Sequence, residues 1–308
     1  MSSPAQRRAP GGRTGAVQRI TSRNARFQQW QSLLTNRNKR TRAREFLVQG
    51  VRPITLAVEL GWPVHALLYN GGRPLSDWAV ELLRAVRTEQ IAMAPELLAE
   101  LGEKNEDTPE LIAVLEIPED DLGRISVGPE FLGLLFDRPT SPGNIGSIIR
   151  SADAFGAHGV IVTGHAADVY DSKSVRASTG SLFSLPAVRV PSQREVGDWL
   201  DRNRAEGRRV RVVGTDEHGE ADIFDFDLTG PTLLLIGNET SGLSTAWRER
   251  CDHVVSIPMS GSASSLNAAN AATAVLYEAS RQRTAARRHT PLPSPRVAPA
   301  QSGTRSHP

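Results

Sequence analysis

The sequence holds a single cysteine, Cys251, and only three lysines in 308 residues. One thiol excludes an internal disulfide framework and a cysteine-rich zinc site. The longest apolar runs, such as Thr232–Ile236, are far too short to cross a bilayer. The first residues lack the apolar stretch of a secretory signal, so a cytoplasmic location is the default expectation, with no membrane partner. His65, His158, His165, His218 and His253 show no HExxH or other metal-ligand spacing, and no metal is expected. A P-loop, a GxGxxG fingerprint after a strand and a GxSxG nucleophile elbow are all missing, which argues against NTP hydrolysis, a dinucleotide site and a serine hydrolase.

What is present is an uneven charge. Residues 1–44 carry eleven Lys or Arg and no acid; residues 281–308 carry six Arg and no acid. All 34 acids lie between Glu45 and Glu278, leaving the middle with a formal charge of about −15 beneath an overall +2. Basic ends of this kind attract phosphates by counterion release, which favours a nucleic acid over solvated tails.

Length suggests two domains. Residues 1–20 and 285–308, rich in Ser, Pro, Ala and Arg, read as disordered basic tails. Residues 21–116 read as a small α/β unit, with a helix at Phe27–Thr35, a basic turn at Asn36–Arg44, strands near Phe46–Val48, Val64–Tyr69 and Leu111–Leu115, and helices at Val51–Leu60 and Pro74–Val86. Residues 117–130 read as a linker. Residues 131–284 alternate strands and helices, which predicts a mainly parallel sheet with crossover helices. Ligands in such sheets bind beyond the carboxyl ends of the strands, so the loops after Phe136, Val213, Ile236 and Ile257 are the informative ones.

Three of these loops carry candidate chemistry. In Asp137–Ala157, Gly143 and Gly146 suggest a tight strand-to-helix turn, Asn144 sits near the expected N-cap, and Arg150 stands in a mostly apolar helix. That arginine invites an acid or a phosphate; a capping Asn beside a surface Arg is the plain alternative. In Leu233–Ser244, a buried strand runs into Gly237, with Asn238 and Glu239 placed to orient a polar group, although an ordinary turn with an exposed acid fits equally well. In Ile257–Arg283, a Gly/Ser loop leads to Ser265 as a plausible N-cap, and Asn267 and Asn270 share one face of the following helix.

In this order and spacing the three loops resemble the signature motifs of SPOUT-class RNA 2′-O-ribose methyltransferases of the TrmH/SpoU family, over roughly residues 131–283. The segment SRNARFQQWQSLLTNRNKRTRAREFLVQGVRPI, from Ser22 to Ile54, resembles the start of the RNA-binding domain found on many members. The resemblance implies a small N-terminal α/β RNA-binding domain and a C-terminal α/β trefoil-knot domain. It implies a homodimer that binds S-adenosylmethionine near the subunit interface. It places Asn144, Arg150, Glu239, Ser265 and Asn267 in catalysis and Gly237, Ile257 and Leu266 at the cofactor, with Gly214 and Thr215 as further candidates. The chain reads NAAN at Asn267–Asn270 where members often read NVSV.

The reaction so implied is methyl transfer to a ribose 2′-hydroxyl of structured RNA. Guanidinium is effectively always protonated, so Arg150 suits stabilisation of a developing alkoxide and a clamp on the adjacent phosphate better than proton abstraction. Arg37, Lys39, Arg40, Arg42 and Arg44 are expected to grip RNA phosphates. The extra N-terminal domain points to 23S rRNA before tRNA by analogy. A non-catalytic RNA-binding protein that keeps the fold stays open as an alternative, and the modified nucleotide is not legible.

Overall fold

The structure is a computed structural model that describes residues 18–103 and 108–289. Residues 1–17 and 290–308, which hold most of the two expected tails, lie outside the described residues.

The first domain is built from β1 (Gln18–Ile20), α1 (Ala25–Thr35), α2 (Arg37–Ala43), β2 (Glu45–Gln49), α3 (Val51–Glu59), β3 (Val64–Asn70), α4 (Asp77–Ala85), β4 (Glu89–Met93), α5 (Pro95–Leu101) and β5 (Leu111–Glu116). Its five-stranded sheet runs β1-β4-β3-β5-β2, with β5 antiparallel to both neighbours. Adjacent residues of β3 point to opposite faces, so Leu67 and Leu68 enter different apolar clusters. Residues 18–20 pair with β4 and thus belong to this sheet rather than to a tail. The expected basic turn at Asn36–Arg44 is instead helix α2, capped by the Asn36 side chain on the Lys39 amide. Its sequence, RNKRTRA, has no apolar stripe to betray the helix.

The second domain holds β6 (Leu132–Asp137), α6 (Pro142–Ala154), β7 (Gly159–Thr163), α7 (Ser172–Ser178), α8 (Ser181–Ser184), β8 (Ala187–Val190), α9 (Gln193–Ala205), β9 (Arg211–Thr215), β10 (Ala221–Asp222), β11 (Thr232–Ile236), α10 (Thr245–Arg248), β12 (His253–Ser256) and α11 (Ala268–His289). The seven strands are all parallel, in the order β10-β12-β9-β11-β6-β7-β8. Strands β6 and β11 are buried along their whole length, as their continuous apolar runs predict. One face packs on α6, α7, α8 and α11, the other on α9 and α10. Arg283 fastens α11 to the start of the sheet by donating to the carbonyls of Leu228, Gly230, Glu130 and Phe131. This helix continues to His289, past the expected boundary at 284.

The two domains share one apolar core. Phe46 of β2 packs on Tyr170 at 4.9 Å between ring centroids, and Trp62 meets Phe183 edge-on at 5.1 Å while its indole N–H donates to the Phe183 carbonyl. Full burial of a side chain such as Phe46 or Phe183 contributes about 1.5–3 kcal/mol, which stabilises the docking of the first domain on the second.

Candidate active site

Three loops at the carboxyl ends of β9, β11 and β12 enclose a cleft of about 570 Å³. It is lined by Thr215–His218, by Ile236–Gly242, and by Ile257, Met259, Ser264, Ser265 and Leu266, with Arg248, Ala268 and Ala271. The position follows the rule for parallel sheets. Of the expected cofactor residues, Gly237, Ile257, Leu266 and Thr215 line the cleft. Gly214 does not. It lies in β9 beneath Cys251 and Leu243, where a Cβ would come within 2.7 Å of the Cys251 sulfur. Its small size serves packing. Burial pushes the Cys251 thiol up to about 11, so it is no nucleophile at neutral pH.

The loop after β6, which leads into α6, reaches this cleft indirectly. Ser141, not Asn144, caps α6, and its hydroxyl accepts the Asn144 amide. Gly143 and Gly146 therefore lie inside the helix. Gly146 is needed for a different reason from the one expected: α7 crosses so close that a Cβ would stand 2.1 Å from the Ser174 carbonyl oxygen. The Asn144 side chain points the other way, donating to Glu239 Oε1 at 3.0 Å and accepting from Asn267 Nδ2 at 3.2 Å. Glu239 also accepts from the Thr140 amide and hydroxyl, both at 3.1 Å, and from the Ser141 amide at 3.3 Å. Partial burial raises the Glu239 carboxyl, but the hydrogen bonds from Asn144 and Thr140 outweigh it and hold the group below its ordinary value.

The third loop departs from expectation at its cap. Asn267, rather than Ser265, caps α11, its Oδ1 accepting from the Ala269 and Asn270 amides. Ser265 stays exposed at the lip of the cleft. The NAAN departure fits without disturbance, because Ala268 and Ala269 face the core and Asn270 faces solvent.

Arg150 is the outlier. It is exposed, and no hydrogen bond or ion pair ties it to the other four candidates among the described residues. Six residues of helix carry it about 120° around α6 and about 9 Å along it from Asn144. Within one chain it does not line the cleft.

The expected phosphate grip also divides. Arg40 is 2% exposed and is committed to the domain interface, donating to Asp168 at 2.7 Å, lying near Asp171, and bonding the Leu33 and Leu34 carbonyls. Arg37 donates to the Ala166 carbonyl at 2.8 Å. Arg40 is held at the junction by acids 128 or more residues away, whereas Arg37 meets only that carbonyl and its Nη2 is buried without a hydrogen-bond partner among the described residues. Arg44 pairs with Glu116 and Glu119. Lys39 and Arg42 remain exposed and without an ion pair among the described residues.

Sequence reasoning missed Asp216, Glu217, Met259, Arg248, Thr140 and Ser141. Asp216 follows β9 directly and pairs with Arg248 across the cleft wall. The end of a parallel strand was the available signal for it. The lining combines apolar Ile236, Ile257, Met259 and Leu266 with carboxylates from Asp216, Glu217 and Glu239, the first of them paired with Arg248. That set suits a ligand with a flat apolar part and a positive charge. Among the described residues no group of side chains could hold a metal ion, and no helix is long and apolar enough to cross a membrane.

A parallel α/β domain with its cleft beyond β9, β11 and β12, packed against a small mixed-sheet domain, defines a two-domain α/β protein with a ligand-sized cleft. Residues 24–113 match the SpoU L30e-like domain, and residues 132–277 match the SpoU rRNA Methylase family. The chain is 75% identical over 283 residues to a 23S rRNA (uridine(2479)-2′-O)-methyltransferase of Streptomyces viridochromogenes, covering 92% of this chain and 99% of that one. The crystal structure of the SpoU methyltransferase AviRb from Streptomyces viridochromogenes in complex with AdoMet is similar at a TM-score of 0.83 and 76% identity, covering 85% of this chain and 99% of that chain. An AdoMet-bound rRNA methyltransferase from Sinorhizobium meliloti is similar at a TM-score of 0.76 and 28% identity, over 86% and 98% of the two chains. This chain belongs to the SpoU rRNA methylase family.

Proposed function

We propose that this chain moves the methyl group of S-adenosylmethionine to the ribose 2′-hydroxyl of a 23S rRNA uridine, the same nucleotide on which the Streptomyces viridochromogenes relative acts. The observation that carries the reading is the cleft beyond β9, β11 and β12, whose lining residue Glu239 is linked to Asn144 of the first loop and through it to Asn267 of the third. Identity of 75% across both domains extends it from the reaction to the substrate.

The residues fit the cofactor. Ile257 and Leu266 offer apolar flanks for the adenine, Gly237 lets the second loop close on it, and Asp216, Glu217 and Glu239 supply negative charge. When bound, S-adenosylmethionine supplies a methyl group on a positively charged sulfur. In the transfer the 2′-oxygen bonds to that methyl, the sulfur–methyl bond breaks, and the hydroxyl proton passes to solvent. Glu239 is a fixed acceptor that ties loop two to the first turn of α6, so Asn144 and Asn267 hold the loops in register. Ser265, exposed on the cleft lining, is available to meet the ribose.

Arg150 stabilises the developing charge on the 2′-oxygen and holds the neighbouring phosphate. A homodimer supplies what the single chain lacks, by burying the outward faces of α6 and α11. Exposed Asn270 and Tyr277, with Ala274 between them, form a stripe at helical spacing on α11, and Arg150 stands on the outer face of α6. Each Arg150 then serves at the subunit junction. The N-terminal domain reads RNA shape, with Lys39 and Arg42 on phosphates. The protein works in the cytoplasm, where its substrate is made.

Calorimetric titration with S-adenosylmethionine tests the cofactor half of the reading. Saturable one-site binding is expected, and its absence from folded protein would contradict it.

A further inference from the structure

Arg138 ends β6 with φ of 52°, a left-handed conformation that side chains larger than glycine rarely adopt. Its position brackets the second loop from both ends. At the loop's start, the Arg138 carbonyl accepts the Asn238 side-chain amide at 2.7 Å. At its end, the guanidinium donates to the Gly242 carbonyl at 3.0 Å and to the Ser241 hydroxyl at 3.3 Å. Behind it, buried Asp137 accepts from the Arg138 guanidinium at 3.1 Å and from the Ser244 amide at 2.9 Å. The loop so held is the one that carries Gly237 and Glu239 along the cleft.

Room for this grip comes from a second strand. Gly164 follows β7 with φ of 72°, and a Cβ there would lie 2.6 Å from Arg138 Cγ. Two backbone departures at the ends of neighbouring strands thus meet at one side chain. Left-handed residues persist where the surrounding structure over-determines them, and they cluster at ligand clamps.

We infer that Arg138 is a positioning residue for the cofactor: it fixes Asn238–Gly242 in the shape that closes on S-adenosylmethionine, and Gly164 leaves the space in which it does so. The inference rests on the methyltransferase reading above. Arg138 is exposed enough to move but is tied by hydrogen bonds to charged and carbonyl partners, so its loss is expected to free the loop without unfolding the sheet.

The test is calorimetric titration of the full chain and of R138A, R138G, R138K, G164A and the R138A/G164A pair with S-adenosylmethionine. Melting temperatures and the split between KM and kcat on 23S rRNA are measured alongside. R138A and R138G are expected to weaken cofactor binding about tenfold and to raise its KM alike. At saturating cofactor, kcat should stay within about threefold. R138G should melt no lower than R138A, because glycine takes the positive φ without strain. R138K should restore part of the affinity, since an ammonium cannot reproduce the guanidinium fork. G164A should weaken binding in the parent but far less beside R138A. Parent-like binding by folded R138A and R138G would overturn the inference alone. Fully additive effects of R138A and G164A would also overturn it. Failure of the parent chain to bind S-adenosylmethionine would sink the methyltransferase reading and this inference with it.

Discussion

The side-chain amide of Asn144 donates to the carboxylate of Glu239 at 3.0 Å across 95 residues of chain. The bond joins the first turn of α6 to the loop after β11, and through Asn267 it reaches the start of α11. A strand end, a helix start and a helix cap from three separate motifs therefore act as one unit at the edge of the cleft. Glu239→Gln keeps the shape but must turn its amide nitrogen either toward the Thr140 donors or toward the Asn144 and Ser141 donors. The expected result is a fall in kcat/KM of about 10- to 100-fold, the loss of a charge-assisted acceptor. The same bond sets a pH dependence. The Glu239 carboxyl is held below its ordinary value, so its stabilising share is present above the usual glutamate range and is lost as pH falls through the depressed value. The melting difference between the parent chain and Glu239→Gln should therefore be largest near neutrality and should close in acid; a difference that grew on acidification would contradict the assignment.

Arg150 tests the separation of chemistry from cofactor binding. It is exposed and outside the single-chain cleft. Arg150→Ala should leave S-adenosylmethionine affinity unchanged in calorimetry and lower kcat by about 100-fold or more. Near-normal turnover with intact binding would remove Arg150 from the mechanism.

The domain junction gives a stability prediction. Arg40 and Asp168 form a nearly buried pair at 2.7 Å. Arg40→Ala leaves Asp168 and the Leu33 and Leu34 carbonyls without that donor. Urea unfolding should show a loss of about 3–5 kcal/mol, the range for breaking a buried pair. A loss under about 1 kcal/mol would mean that the interface is wetter than the geometry implies.

Lys39 and Arg42 carry the phosphate prediction. Replacing both with Ala should weaken rRNA binding across sequences and flatten the plot of log affinity against log salt by about one to two units. Arg37→Ala, whose donor serves the Ala166 carbonyl, should not flatten it. Equal slopes for the parent and the Lys39/Arg42 pair would place the RNA elsewhere.

Much of this site was legible in the sequence because it sits where parallel strands end. Buried runs such as Thr232–Ile236 mark their own strands, and the rule for parallel sheets made the loops just after them the places to look. Glu239, Asn144 and Asn267 followed from that rule and from the family resemblance. The errors arose where a residue's partner lies far away in the chain. The run Arg37–Arg44 looks solvated until Asp168, Asp171 and the Ala166 carbonyl are folded against it. Gly214 and Gly146 look like ligand or turn glycines, yet Cys251 and Ser174 show them to be contacts between packed elements. Helices α2 and α7 are too short and too polar to show a 3.6-residue stripe. The left-handed backbone of Arg138 has no sequence signature, since arginine is not a residue that such a turn selects.

The most direct test of the central claim is transfer of a tritiated methyl group from S-adenosylmethionine to 23S rRNA and to tRNA, both lacking ribose methylation, with nuclease mapping of the product. The account predicts a single labelled 2′-O-methyluridine in 23S rRNA and none in tRNA. Label in tRNA alone, or no label in either pool from a protein shown to bind the cofactor, would contradict it.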